Sequence, residues 1–114
     1  MQRDMDLIRQ IAFAVERSAE TFNTEHLVID GYSQEQITDN CQIMVESELI
    51  DAIESRCRSG TTFHVRGLTA KGHDFVEAAR SDTVWRRAMV KAEKTAVEIT
   101  VDVIVACLKS FTPD

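Results

Sequence analysis

The sequence is short of residues that interrupt chains and of residues that staple them: one proline, four glycines and three cysteines in 114 positions. Cys41, Cys57 and Cys107 are odd in number and widely spaced, which reads against a disulfide framework and for a reducing compartment. The four glycines supply no glycine-rich phosphate loop. His26, His64 and His73 stand singly, without the close spacing that marks zinc ligands. No window approaches the ~18 uninterrupted apolar residues that a membrane span requires. The opening Met1-Gln2-Arg3-Asp4-Met5-Asp6 is acidic and lacks an apolar run, which reads against a secretory signal. The expectation is a soluble cytoplasmic protein with no membrane segment, no metal and no cofactor.

What remains is ordinary for a globular chain, with 44% apolar and 28% charged residues. Its length suits a single domain over residues 1–114 with one modest core. The net charge of −6 is unevenly spread: residues 1–55 hold three arginines against twelve acids, and residues 56–114 hold ten bases against seven acids. Such a chain repels nucleic acid at long range, so any contact with DNA falls to the second half.

Met5, Ile8, Ile11, Ala12 and Val15 recur at helical spacing, predicting a helix from about Arg3 to Arg17 with Asp4 and Asp6 in its first turn. Leu7 and Phe13 lie off that stripe and call for a second neighbour. Residues 18–25 read as a polar loop, and His26 to Ile29 as a brief strand before the Asp30-Gly31 turn. Ser33 with Gln36 forms a capping box, and Tyr32 with Ile37 a hydrophobic staple, opening a helix that runs to about Glu46. The segments from Ile50 to Arg56 and Thr61 to Leu68 read as a β-hairpin joined by Cys57-Arg58-Ser59-Gly60, with Phe63 and Val65 facing inward. Thr69 caps a helix from Ala70 to about Arg80, and Ser81-Asp82 opens another carrying Val84, Trp85, Ala88, Met89 and Ala92 on one face. Residues 97–103 alternate as a strand would; the apolar stripe continuing to Phe111 favours a helix from Thr100 to Ser110.

This order predicts an α+β, winged-helix-like fold, mostly helical with a small antiparallel wing. Residues 1–80 form its core with the wing at 50–68, and residues 81–114 a helical extension. One departure stands out: no convincing middle helix lies between the first two, although a helix-turn-helix needs one. Arg3-Asp4-Met5-Asp6-Leu7-Ile8-Arg9, Gly31-Tyr32-Ser33 and Leu49-Ile50 resemble a domain-of-unknown-function family of bacteria, prophages and phages. Leu68-Thr69-Ala70-Lys71-Gly72-His73-Asp74-Phe75 and Asp82-Thr83-Val84-Trp85 continue the likeness, which extends over residues 3–90. It implies the same winged-helix-like fold and brings no catalytic residues.

The helix expected to read DNA, within residues 34–48, has no lysine or arginine and carries Glu35, Asp39, Glu46 and Glu48. Gln34, Gln36, Asn40 and Gln42 are its base-reading candidates. Arg56, Arg58, His64 and Arg66 make the wing basic and are candidates for contact with an anionic partner; they also read as a solvated hairpin face. Trp85, Met89, Ile104, Leu108 and Phe111 are candidates for a homodimer interface, and equally for completing the core of one chain. Cys57 and His64 lack the third group and oxyanion site that a nucleophile pair requires. Asp4 and Asp6 point to different helix faces, and Cys41 reads as a small core residue. The sequence therefore favours a non-enzymatic protein that binds a host or phage protein, such as an inhibitor of a nucleic-acid-binding or defence complex. The acidic first half would then imitate DNA. The competing reading is a DNA-binding transcriptional regulator that uses its wing.

Overall fold

The computed structural model describes residues 2–95 and 98–111. It contains α1 (Met5–Arg17), β1 (Phe22–Asn23), a 3-10 turn (Thr24–His26), α2 (Gln34–Glu46), β2 (Ile50–Cys57), β3 (Gly60–Leu68), α3 (Ala70–Ala79), α4 (Asp82–Thr95) and α5 (Val101–Phe111). The sheet is antiparallel in the order β1-β3-β2. This is an α+β, winged-helix-like arrangement in which the middle helix is reduced to one 3-10 turn. The chain divides into two compact units, Met1–His73 and Asp74–Asp114.

In the first unit each helix forms where its cap and its apolar stripe agree. Asp4 is the N-cap of α1, its carboxylate accepting from the Leu7 N–H at 3.0 Å. Leu7, Ile8, Ile11 and Ala12 are fully buried, so the inner face of α1 is wider than a single stripe. The Ser33–Gln36 capping box closes in both directions, at 2.8 and 3.1 Å. Ile37, Cys41 and Met44 of α2 and Phe63 and Val65 of β3 complete the core between these helices and one face of the sheet.

The predicted strand over His26–Ile29 does not form. The chain pairs earlier, Phe22 opposite Val65 and Asn23 opposite His64. The residue that decides this is Thr24, which is fully buried and accepts the Phe63 N–H on its Oγ1 at 3.0 Å. A hydroxyl thus does for β3 what a longer strand would do. His26 ends the 3-10 turn, and Val28 is 80% exposed, so that apolar run serves the surface. The hairpin loop is also tighter than expected, with Cys57 paired to Gly60 across Arg58-Ser59 and Gly60 at φ +125°.

The junction from α2 to β2 is the most constrained turn. The Leu49 N–H donates to the Met44 carbonyl at 2.8 Å and the Glu48 N–H to that of Val45 at 3.1 Å, a Schellman closure. Glu48 takes the left-handed position that glycine usually fills, at φ +62°. Thr69 holds the same turn from outside: its hydroxyl donates to the Glu48 carbonyl and its N–H to that of Leu49. Gly72 lies so close behind that a β-carbon there would collide with the Leu49 carbonyl oxygen.

In the second unit, Phe75 meets Trp85 edge to face, ring centroids 6.0 Å apart. Ser81 and Thr100 cap α4 and α5 through the Val84 and Val103 N–H groups. The segment whose pattern admitted strand or helix is helical over Val101–Phe111; Val97 lies outside the described residues.

Two outcomes follow for stability. Gly72→Ala should cost about 1–3 kcal/mol, because backbone cannot make room. Glu48→Gly should gain up to about 1 kcal/mol by relieving the left-handed strain. Urea denaturation followed by circular dichroism measures both.

Candidate functional site: a cationic groove on the C-terminal helices

The amides expected to read DNA all make hydrogen bonds within the chain, Asn40 in the interior and the three glutamines at the surface. Asn40 is 1% exposed. Its amide donates to the Gln36 carbonyl at 2.9 Å and the Gln2 carbonyl at 3.3 Å, while its oxygen accepts the Asp4 N–H at 2.9 Å. Gln36 closes the capping box, Gln34 donates to the Leu27 carbonyl at 2.6 Å, and Gln42 donates to Glu46 at 3.3 Å. Not one of the four amides is idle, and the acids around them remain.

The wing is less basic than its arginines suggest. Arg56 pairs with Glu54 at 3.3 Å and Arg66 with Asp51 at 3.1 Å, all partly or well exposed. His64 is exposed on the outer sheet face, and Arg58 is at the exposed hairpin tip. The four candidates therefore lie on one hairpin, with two of their charges matched by acids. Surface pairs of this kind add little stability. They do cancel charge.

The C-terminal candidates divide differently. Trp85 is 4% exposed, and Ile104 and Leu108 are fully buried, so the interior of a single chain takes up the side chains expected to seek a second one. Helical spacing could not separate these two uses, since a core face and an interface face share one period. Met89 is half-buried, and Phe111 stays 37% exposed at the end of α5.

Phe111 opens onto a site that the sequence reading missed. With Trp85, Ala88 and Ala92 turned inward, α4 presents Arg87, Val90, Lys91 and Lys94 outward at three- and four-residue steps, flanked by Arg86. Together with Thr95 and Phe111 these residues line an open groove of about 410 Å³. Its floor is the exposed Val90 and the Phe111 ring; its rim is four cations. The Lys91 ammonium sits 5.5 Å from the centre of that ring and donates to the Ser110 hydroxyl at 3.0 Å. Among the described residues no acid pairs with Arg86, Arg87 or Lys94. The signal was present as a local run of bases in an acidic chain, but reading α4 for its apolar face hid it.

Other chemistry is sparse. Among the described residues no three His, Cys, Asp or Glu side chains gather as metal ligands. No described helix is long and apolar enough to cross a membrane. Burial pushes the Cys41 thiol up to about 12. Cys57 is exposed, and hydrogen bonds from Ser59 and Gly60, the Ser59 hydroxyl at 3.0 Å foremost, lower its pKa.

Fold and surface together define a small winged-helix-like protein whose open groove is cationic. The chain belongs to the family described as "Hypothetical protein (DUF2513)", whose model matches residues 2–98. It is also similar to an uncharacterized protein of Haemophilus influenzae, 27% identical over 107 residues, covering 91% of this chain and 89% of that one. No solved structure matches it.

The thiols offer a check on the local chemistry. Because the thiolate is the reactive form, a lowered pKa raises reactivity at neutral pH and a raised one suppresses it. Iodoacetamide should modify Cys57 in the native protein and spare Cys41. In Ser59→Ala the pH–rate curve of Cys57 should move to higher pH. Mass spectrometry of timed digests measures both.

Proposed function

We propose that this protein acts by binding, not catalysis, and that it holds an acidic protein segment in the groove between α4 and Phe111. The observation that carries this reading is the set of cations, Arg86, Arg87, Lys91 and Lys94, around an apolar floor in a chain of net charge −6. Long-range charge repels polyanions from such a chain as a whole, so a local cationic stripe selects partners of limited acidic extent. A floor of Val90 and Phe111 asks for apolar side chains between those acids. An amphipathic helix or strand with Asp or Glu flanking one apolar anchor satisfies both demands.

Single-stranded nucleic acid is the second reading, since an aromatic ring beside cations is also a base-stacking platform. Sequence-specific reading by α2 has little to support it, because Gln34, Gln36, Asn40 and Gln42 are committed within the fold. In the bacterial or phage setting that the sequence resemblance implies, a small binder works by occupying another protein. Inhibition of a nucleic-acid-binding or defence complex is the specific form of that proposal.

Capture from bacterial lysate by tagged protein should retain discrete partners. The double variant Arg87→Glu/Lys94→Glu should lose them by about tenfold or more, while Arg58→Glu keeps them. Mobility shift with duplex and single-stranded DNA at physiological salt should show no tight complex. A salt-sensitive DNA complex weakened by Arg58→Glu would instead establish the wing as a regulator's contact surface. One weakened by the α4 variant would establish the groove as a nucleic-acid site.

A further inference from the structure

The inner strand β3 is covered on both sides, by β1 and by β2, but β2 has no neighbour on its outer side among the described residues. From Asp51 to Cys57 every residue is exposed except the half-buried Ala52, and the edge carries neither proline nor lysine. Ile53 adds an apolar side chain, 54% exposed, on the outer sheet face beside His64. Beyond the irregularity at Asp51/Ala52 the edge is regular, and its unpaired N–H and C=O groups offer a template for a further strand.

The sequence of this edge indicates which strand. A two-fold axis perpendicular to the sheet keeps each face continuous, so only residues of the same face can stand opposite one another. Four registers of β2 against itself meet that condition near its centre. Placing Ile53 opposite its own copy brings the irregularity between Asp51 and Ala52 into the ladder. Placing Glu54 or Arg56 opposite its own copy sets like charges face to face. The remaining register sets Ser55 opposite Ser55, Glu54 opposite Arg56 and Ile53 opposite Cys57. It uses only the regular part of the strand in both copies. The Glu54–Arg56 pair that each chain already forms at 3.3 Å then joins its copy in a ring of alternating charge.

We propose that β2 pairs antiparallel with the β2 of a second copy, centred on Ser55, to make one continuous six-stranded sheet. The interface is built from the sheet edge alone and uses none of the residues of the C-terminal helices. With five residues a side it is a weak dimer, in the micromolar to millimolar range.

Light scattering at increasing concentration should show the mass of one chain rising toward that of two. In a Cys57→Ser background, Ser55→Cys should cross-link with a short bismaleimide. Wild-type protein should not form disulfide-linked dimers on oxidation, because this register sets its two Cys57 residues four positions apart along the strands. Glu54→Arg should abolish the dimer and the cross-link, and Glu54→Arg/Arg56→Glu should restore both, with circular dichroism confirming that each variant is folded. A constant monomer mass without cross-linking overturns the proposal, as does a dimer that Glu54→Arg leaves unchanged.

Discussion

The amide of Asn40 ties three stretches of backbone together: Gln2 upstream of α1, the cap of α1, and the first turn of α2. It is buried, so each of its hydrogen bonds replaces water that cannot reach the site. The rest of the N-terminal unit depends on this constraint, because it fixes where α1 starts relative to α2. With that start set, α1, α2 and β3 close on a core that includes Ile8, Ile11, Ile37, Met44, Phe63 and Val65. In a winged-helix-like fold this helix often meets DNA. Here its most promising reader is a structural bolt.

That assignment changes where function is sought. Polar side chains on a helix are either available to a ligand or satisfied within the chain, and α2 spends all of its amides internally. The wing behaves similarly in charge, each of two arginines lying beside an acid. The groove on α4 is the opposite case: Lys91 is positioned over an aromatic ring, while among the described residues no acid pairs with Arg86, Arg87 or Lys94. Unmatched charge beside exposed apolar surface is what a ligand of opposite charge recognises.

Much of the fold was legible where two local signals coincided. Ser33 with Gln36 fixed the start of α2, the alternation about Phe63 and Val65 fixed the wing, and the stripe from Val101 to Phe111 outlasted its strand-like beginning. The reading failed where a single polar atom decided the outcome. Nothing in the run from Phe22 to Thr24 announces that one hydroxyl will complete a ladder, and the greasier His26–Ile29 attracted the strand assignment. The candidate site was half legible. The excess of bases after residue 56 is plain in the sequence, but the wing arginines are credited there with charge that Asp51 and Glu54 offset in the fold. Apolar period alone could not tell that Trp85, Ile104 and Leu108 serve their own chain.

Thr24 also bears on how the family can diverge. Valine would match its shape and leave the Phe63 N–H orphaned in a dry interior, whereas serine would keep the acceptor and surrender only a methyl group. Substitution at this position should therefore be governed by chemistry and not by volume. A chain that lost the hydroxyl would have to offer the Phe63 N–H another acceptor or bear the cost of leaving it unmet.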